Sequence, residues 1–433
     1  MARIWSSELA QHVGEWVRLS GWLHRFRQLS EVSFLILRDA HGLAQVVIED
    51  AAQIATLADL PNETVLHVDG LVVAVAQAPG GVELHDPSMA VISTPHEPPP
   101  FDLYRPTIKA LLPTILDHAP LSLRHLRRRA YFRLMAASAE GYRAALRQAH
   151  FVEIFTPKLV ESATEGGANV FKLDYFGRPA FLAQSPQFYK QVMVGVFERV
   201  FETGPVFRAE PHDTPRHLNQ YLSLDFEMGF IDDHFDVMRQ LTPVLASMVQ
   251  SMREQVPQAI QQLGVTLPDV PHEIPWIDFQ EAQELIERDT HEQLRGEPDL
   301  APAHERWLGE WAKREHNSDF VFVTGYPMAK RPFYTYPDPT RPDFTNSFDL
   351  LFRGLELVTG GQRLHLYQDY LAALEQRGQS PEPFDGYLQA FKYGMPPHGG
   401  CALGLERWVA RIAEVANVRE TTLFPRDMNR LSP

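Results

Sequence analysis

The chain has 433 residues, of which 44% are hydrophobic, and its formal net charge at pH 7 is −15. This length predicts two or three domains, and the acidic balance argues against sequence-blind nucleic-acid binding, because the field of the protein repels phosphates. The single cysteine, Cys401, excludes an internal disulfide, which fits a reducing cytoplasm. The longest apolar runs, such as GLVVAVA at 70–76, are too short to span a membrane, and the N-terminus lacks the apolar stretch of a signal peptide. We therefore expect a cytoplasmic protein without a membrane span.

The first hundred residues contain short alternating or apolar runs separated by turn residues. The segments EWVRLSGWLHRF, VSFLILRD, GLAQVVIE, TVLHVDGLVVAV and VELHDPSMAVIS predict five strands, and AAQIATLADL predicts a small helix between the third and fourth. This order predicts an OB-type β-barrel over residues 1–100. Another kind of small β domain is the alternative.

A proline-rich segment, STPHEPPPFDLYRP at 93–106, follows the barrel and predicts a linker, so we expect a hinge over 101–128. Residues 101–133 contain seven Arg or Lys and two acids, a local charge of +5. The arginines at 124–129 are a candidate contact for a nucleic-acid backbone, or else a solvated helix face.

From residue 129 to 433, irregularly alternating strands and helices predict a mostly antiparallel α+β domain. It begins with a long amphipathic helix. The polar, helix-rich stretch 234–315 predicts a peripheral layer or an insertion.

Three motifs of this region occur in a fixed order. The first motif is a helix followed by the strand FVEIFTP, around 130–160. The second, around 200–230, is the strand–loop–strand VFRAEPHDTPRHLNQYLSLDFEMGF. The third, around 398–415, is a glycine-rich strand that leads into a helix, GGCALGLERWVARIAEV. In this order they resemble the three motifs of class II aminoacyl-tRNA synthetases, and the barrel adds the subclass that charges Asp, Asn or Lys. The segments ATEGGANVF, FLAQSPQFYKQ, LELVTGGQRLH and KYGMPPHGGCALGLER resemble the compact archaeal type of aspartyl-tRNA synthetase.

This resemblance implies an ATP site at the second and third motifs. Arg208 would contact the α-phosphate, Arg407 the γ-phosphate, and Arg216 and His217 the outer phosphates, while Glu210 and Tyr221 would bind and stack on adenine. The remaining implied ATP contacts are Ala209, Leu218, Glu356, Gly404, Leu405 and Glu406. Arg208, Glu356 and Arg407 would be the catalytic residues.

The resemblance also implies Mg²⁺ held by Asp349, Glu356 and Thr359, where the family usually has Ser in place of Thr359. Seven residues separate Asp349 from Glu356, so both side chains share one face only if a bend or bulge intervenes. Two unrelated surface acids are the alternative.

Aspartate would be selected by Lys190 and Arg363, since asparagine would leave two desolvated cations unpaired. The further implied aspartate contacts are Glu165 for the ammonium group, Gln187, Arg208 and Thr359. A solvated helix lysine is the alternative for Lys190.

On the barrel, the resemblance implies that Phe34 stacks on an anticodon base and that Gln45 binds its edge. Relatives that charge only tRNA-Asp have Trp and Lys at the positions of His24 and Pro79. The tRNA-Asn anticodon differs from that of tRNA-Asp by a U in place of C, and neither His24 nor Pro79 clearly rejects this U. The expected partners are therefore L-aspartate, tRNA-Asp and also tRNA-Asn, with an amidotransferase to convert the misacylated product.

Pro157 matches the first-motif proline of the family's dimer interface, so a homodimer is expected. Four alternatives remain open from the residues: a synthetase specific for tRNA-Asp, an asparaginyl-tRNA synthetase, an aspartate-amidating paralogue, and a nucleic-acid-binding module without catalysis.

Overall fold

The structure is a computed structural model that describes residues 2–29, 32–161, 169–211 and 213–432. Contacts between Cα atoms divide the chain into two compact units, residues 1–129 and 130–433. None of the described helices is both long and apolar enough to cross a bilayer.

The first unit contains a closed five-stranded barrel. Its elements are β1 (Trp16–Gln28), β2 (Ser33–Arg38), β3 (Leu43–Ile48), α1 (Ala51–Asp59), β4 (Val65–Ala74) and β5 (Val82–Ser93). The strands pair in the order β1-β2-β3-β5-β4, which confirms the predicted OB-type barrel with its helix between the third and fourth strands. Asp50 starts α1 by accepting a hydrogen bond from the amide of Gln53.

The alternating pattern of the strands decides which side chains are available on the outside of the barrel. Leu35 and Leu37 of β2 and Val46 of β3 pack in its core. Because successive strand residues point to opposite faces, Phe34 and Gln45 lie on the outer face.

The segment after the barrel has no helix or strand from residue 94 to 111, as its prolines predict. Three helices follow: α2 (Leu112–Asp117), α3 (Ala119–Ser122) and α4 (Leu126–Gln148). The boundary between the two units falls in the first turn of α4.

The second unit is built on β-sheets flanked by helices. Its strands are β6 (Val152–Glu153), β7 (Leu159–Val160), β8 (Lys172–Tyr175), β9 (Arg178–Leu182), β10 (Arg199–Phe207), β11 (Gln220–Gly229), β12 (Trp276–Asp278), β13 (Phe320–Thr324), β14 (Ser347–Phe352), β15 (Leu355–Arg363) and β16 (His398–Gly404). Its helices after α4 are α5 (Gln187–Phe197), α6 (His234–Gln255), α7 (Pro257–Leu263), α8 (Phe279–Thr290), α9 (Pro302–His316), α10 (Tyr367–Gln376), α11 (Asp385–Lys392) and α12 (Leu405–Ile412).

Eight strands form the central sheet in the order β12-β13-β14-β15-β16-β11-β10-β6, and β7-β9-β8 form a small second sheet. Among the described residues, only the outermost pairs of the central sheet, β12 with β13 and β10 with β6, are parallel. The mostly antiparallel α+β domain is thereby confirmed.

The expectation that 234–315 is a peripheral layer is wrong for α6. Val237, Leu241, Val244 and Met248 of this helix are buried in the main core together with α4 and the central sheet. The two helices approach closely at Gly141, where a Cβ atom would overlap the backbone at Met248. The helix is long and amphipathic, and its polar face obscured the apolar stripe in the overall composition of the stretch.

Candidate active site and anticodon-binding face

A cavity of about 410 Å³ lies where β10, β11, β15 and β16 meet the start of α12. It brings together residues from the second and third sequence motifs and from β15, although up to 199 residues separate them along the chain (208 to 407). Ten of the twelve predicted ATP contacts line it, namely Arg208, Glu210, Arg216, His217, Leu218, Tyr221, Glu356, Gly404, Glu406 and Arg407. Ala209 and Leu405 do not line it, and Leu405 is buried in the core.

Three arginines from different segments surround this cavity, and each lies near one carboxylate. Arg208 Nη1 lies 3.8 Å from Glu210, Arg216 Nη2 lies 3.1 Å from Glu305, and Arg407 Nη1 lies 3.8 Å from Glu356. The Tyr221 ring lies 5.7 Å from the Arg208 guanidinium. Guanidinium groups from three segments thus border one cavity, and guanidinium groups suit the bidentate recognition of phosphate.

Glu406 has a structural role that the sequence analysis did not predict. Its carboxylate accepts a hydrogen bond from the amide of Leu222 at 3.0 Å, which joins the start of α12 to β11. Burial raises the pKa of Glu406 to about 7, although the Leu222 amide opposes this shift.

Asp349, Glu356 and Thr359 lie on two paired strands. Asp349 is directly opposite Thr359, and a register shift leaves Leu357 without a partner between β14 and β15. This is the bulge that the spacing of the two acids requires. Glu356 and Thr359 line the cavity, whereas Asp349 is buried and lies 2.9 Å from Arg331, a cation that the sequence analysis missed.

Burial and the nearby Glu356 raise the pKa of Asp349 to about 6, in opposition to Arg331 and Thr359. In the described part of the chain, no group of three or more His, Cys, Asp or Glu residues is placed to hold a metal ion. Two carboxylates and a hydroxyl nevertheless fit Mg²⁺, which commonly takes one or two protein carboxylates and completes its shell with water and substrate phosphates.

Lys190 and Arg363 belong to a buried network of four charges. Lys190 Nζ lies 3.0 Å from Asp225 and 3.2 Å from Glu227, and Arg363 Nε donates to Glu227 at 2.9 Å. All four side chains are at least nine-tenths buried. Burial alone would lower the pKa of Lys190, but Asp225 and Glu227 outweigh it and the net effect is a raised pKa.

The expectation that both cations wait unpaired for an aspartate side chain is therefore wrong. Lys190 also donates to the Cys401 carbonyl at 3.1 Å, so its donors are in use. Arg363 Nη2 donates to the Gly400 carbonyl, but its Nη1 has no hydrogen-bond partner among the described residues. The solvated-lysine alternative for Lys190 is excluded, since its exposed fraction is 0%.

The glycines of β16 allow this network to form. A Cβ atom at Gly400 would overlap the Phe226 carbonyl oxygen and the Glu227 carboxylate. The sequence signal for the missed acids was present in SLDFEMG, where Ser223, Asp225 and Glu227 alternate with apolar residues. Such alternation places all three on one face of β11.

Gln187 is the first residue of α5 and is buried, and its Nε2 has no partner in the described part of the chain. A buried amide without a partner is costly unless a ligand or water satisfies it. Glu165 lies outside the described residues.

Phe34 and Gln45, the predicted anticodon contacts, lie on the same outer face of adjacent barrel strands. Phe34 shares one face of β2 with residue 36, and residue 36 is directly opposite Gln45 of β3. The side chains of Phe34 and Gln45 therefore point to the same side of the sheet. Phe34 is half-buried and is not part of the barrel core, which excludes an ordinary core role for this side chain. Gln45 Nε2 donates to Glu83 at 2.8 Å, and Glu83 also contacts His85.

His24 is buried and Pro79 is exposed. The register between β1 and β2 shifts between Leu23 and Arg25, so His24 occupies a β-bulge. Its Nδ1 lies 3.2 Å from Arg38 Nη1. His24 is therefore not an ordinary exposed residue of the barrel.

The arginine cluster is partly used by the first unit itself. Arg124 lies 3.1 Å from Glu63, Arg129 donates to the Asp39 carbonyl at 2.8 Å, and Arg128 is buried. These contacts exclude a fully solvated helix face.

Pro157 is exposed between two other exposed apolar side chains. Phe155 is 82% exposed and Leu159 is 49% exposed. The segment follows β6, the edge strand of the central sheet.

Two family models match the chain. A model described as tRNA synthetases class II (D, K and N) matches residues 112–428, and one described as OB-fold nucleic acid binding domain matches residues 17–92. The Aspartate--tRNA(Asp/Asn) ligase of Thermus thermophilus is 46% identical over the full length of both chains. The protein of the same name from Deinococcus radiodurans is 44% identical over 100% of this chain and 99% of its own.

Solved structures share the fold over the whole chain. The asparaginyl-tRNA synthetase of Pyrococcus horikoshii, complexed with asparaginyl-adenylate, has a TM-score of 0.93 at 30% identity, with complete coverage of both chains. The aspartyl-tRNA synthetase of Entamoeba histolytica has a TM-score of 0.87 at 28% identity and is covered over 93% of its length, with 100% of this chain. The chain belongs to the class II tRNA synthetases of the D, K and N group.

Proposed function

We propose that the protein is an aspartate–tRNA ligase of the Asp/Asn type. It activates L-aspartate with ATP to aspartyl-adenylate and transfers the aspartyl group to the terminal ribose of tRNA-Asp and of tRNA-Asn. The observation that carries this proposal is the link between two charged sites: Ser223 lines the cavity bordered by Arg208, Arg216 and Arg407 and donates a hydrogen bond to Asp225 of the buried network.

The first step needs no general base. The α-carboxylate of aspartate is already ionised at neutral pH and attacks the α-phosphorus of ATP, with pyrophosphate as the leaving group. Catalysis then rests on positioning and on neutralising phosphate charge. Arg208 contacts the α-phosphate, while Arg216, His217 and Arg407 contact the outer phosphates that leave.

Glu210 and Tyr221, which line the same cavity, hold the adenine ring of ATP. Asp349, Glu356 and Thr359 would hold Mg²⁺, which when bound supplies further neutralisation of the triphosphate charge. Glu356 also lies 3.8 Å from Arg407. Its backbone carbonyl accepts a hydrogen bond of 3.4 Å from Arg407 Nη1, which helps to orient this arginine.

The aspartate side chain binds the free Nη1 edge of Arg363. The other two guanidinium nitrogens are held by Glu227 and the Gly400 carbonyl, which fixes the orientation of the donor. Lys190 fixes Asp225 and Glu227. An asparagine side chain offers Nη1 only a neutral carbonyl oxygen, whereas aspartate offers a carboxylate, and charge-assisted hydrogen bonds are roughly twice as strong as neutral ones.

Dual tRNA charging is supported by the names of the curated relatives and by His24 and Pro79. Phe34 and Gln45 bind the anticodon, and the Asp-tRNA(Asn) product would need a separate amidotransferase. If these positions set the choice, replacing His24 by Trp and Pro79 by Lys shifts charging towards tRNA-Asp alone.

The active form is a homodimer whose interface includes Pro157. The exposed Phe155 and Leu159 beside it support this assignment, because a cluster of exposed apolar side chains commonly marks an interface.

One assay series tests the function. ATP–pyrophosphate exchange is measured with aspartate and with asparagine, and purified transcripts with GUC and GUU anticodons are then charged with aspartate. Exchange with aspartate alone and comparable charging of both transcripts are expected. Exchange with asparagine instead would identify an asparaginyl-tRNA synthetase, the activity named for the Pyrococcus structure. A hundredfold preference for the GUC transcript, about 2.7 kcal/mol, would contradict dual charging.

A further inference from the structure

His24 is held by a buried ion pair that nothing in the motif pattern predicts. Arg38 lies 3.2 Å from His24 Nδ1 and makes two hydrogen bonds of 2.7 Å to the Glu63 carboxylate. Arg38 is 1% exposed and Glu63 is 5% exposed. Arg124 contacts the same carboxylate at 3.1 Å, so Glu63 is fixed from two sides.

This contact decides where the imidazole carries its proton. A guanidinium has only N–H donors, so His24 Nδ1 must accept, and the proton of the neutral ring lies on Nε2. Protonation of Nδ1 would direct one donor at another. Consistently, burial and Arg38 lower the pKa of His24 to about 4; His125 and Arg129 act in the same direction, and Glu63 opposes them.

The Nε2–H donor is available to a ligand. Among the described residues, the structure gives Nε2 no hydrogen-bond partner. His24 lines a cavity of about 230 Å³ together with Asn62, Glu63 and five residues between 98 and 103 in the segment after the barrel. This volume is several times the ~30 Å³ that a water molecule takes up in the liquid.

We propose that the Arg38–Glu63 pair fixes His24 as a hydrogen-bond donor at Nε2, and that this donor binds the O2 atom shared by cytosine and uracil. Arg38 and Glu63 are thus positioning residues for dual charging. The second half of this inference rests on the proposed function, whereas the first half does not.

The chemistry of the two bases explains the lack of discrimination. Cytosine presents an amino donor and uracil a carbonyl acceptor at position 4, but both present a carbonyl acceptor at position 2. A group that can only donate finds the same acceptor on either base. A group that can only accept, placed opposite O2, would lose this contact on either base.

The tautomer is measured first, by ¹⁵N NMR of the histidine rings in the full-length protein at pH 7, with the His24 signals identified by their loss in His24→Gln. A neutral ring protonated at Nε2 is expected. Arg38→Met should give a mixture of tautomers, and Arg18→Met, which removes an exposed ion pair to Asp69 on the same barrel, should leave the signals unchanged. An Nδ1-protonated or cationic ring in the wild type would overturn the proposal.

Charging is measured second, with GUC and GUU transcripts. His24→Glu places an acceptor-only group opposite O2, which is an acceptor on both bases, and should lower kcat/KM for the GUC and GUU transcripts alike by about tenfold or more, the size of one good base contact. His24→Gln, which keeps a donor, should charge both transcripts nearly as well as the wild type. Normal aspartate-dependent pyrophosphate exchange shows that both variants are folded in the catalytic unit, and tryptophan fluorescence with thermal unfolding reports on the barrel.

Unchanged charging of both transcripts by His24→Glu, or a loss confined to one of them, would overturn the contact to O2. If the wild type itself charged only the GUC transcript, dual charging and the O2 contact would both fail, and the tautomer measurement would still decide the role of Arg38. The two experiments therefore separate failure of this inference from failure of the proposed function.

Discussion

Glu305 of α9 connects an outer helix to the catalytic cavity through Arg216. Its carboxylate lies 3.1 Å from Arg216 Nη2 and also accepts a hydrogen bond of 2.7 Å from the amide of Glu356. Glu305 is 5% exposed. One buried carboxylate thus sets the positions of a predicted phosphate contact and of the strand that carries Glu356.

Glu305→Gln should raise the KM for ATP about fivefold to tenfold, because one charge-assisted hydrogen bond worth ~1–1.5 kcal/mol is weakened. The KM for aspartate should change little. Both are measured by pyrophosphate exchange. Glu310→Gln, an exposed change on the same helix, is the matched control. Equal effects on the two substrates would show that Glu305 supports the fold without a specific role at Arg216.

Arg208→Ala and Arg407→Ala should each reduce pyrophosphate exchange by about a hundredfold or more, as is typical when a charge-stabilising donor is removed. The side chains are 34% and 27% exposed, so the fold should tolerate their loss. Unchanged thermal unfolding with lost exchange is the expected result. Near-normal exchange in either variant would refute the phosphate assignment.

Most of the architecture could be predicted from the sequence, because alternating polar and apolar residues define the barrel strands and the three motifs follow each other in order. The bulge at Leu357 could also be expected, since Asp349 and Glu356 cannot otherwise share a face. These features depend on local spacing.

The residues that pair with the charged groups of the site could not be predicted from the sequence in the same way. Lys190 and Arg363 were predicted as free cations, but residues from β11 neutralise them. Arg331 and Glu305 belong to segments without a recognisable motif and reach the site only through the tertiary fold. Sequence spacing within one strand says nothing about which charge a neighbouring element supplies.

Arg363→Lys should raise the KM for aspartate by about a hundredfold while the KM for ATP changes little. The guanidinium binds Glu227, the Gly400 carbonyl and, we propose, the substrate with three different nitrogens, and an ammonium group cannot reproduce this geometry. Because the charge is kept, Glu227 stays paired and the fold should persist. Lys392→Arg, an exposed exchange on α11, is the control. An unchanged KM for aspartate would exclude Arg363 from the substrate site.

Glu406 predicts a specific dependence of stability on pH. Its pKa is raised by burial from 4.5 to about 7 in the folded protein, so between these values the folded state holds a proton that the unfolded state releases. Stability from this group is fully present below about pH 4.5 and is lost as the pH rises to 7. The loss amounts to at most roughly 3.5 kcal/mol, at about 1.4 kcal/mol for each pH unit.

Glu406→Gln removes this dependence, because glutamine does not ionise and its carbonyl can still accept from the Leu222 amide. The free energy of unfolding of both proteins is measured by urea-induced unfolding, followed by tryptophan fluorescence, at pH 5, 6, 7 and 8. The variant should gain stability relative to the wild type as the pH rises from 5 to 7, and the difference should then level off. Glu310→Gln, at an exposed site, should show no such trend. A difference between wild type and Glu406→Gln that stays constant from pH 5 to 8 would show that Glu406 titrates alike in the folded and unfolded chains.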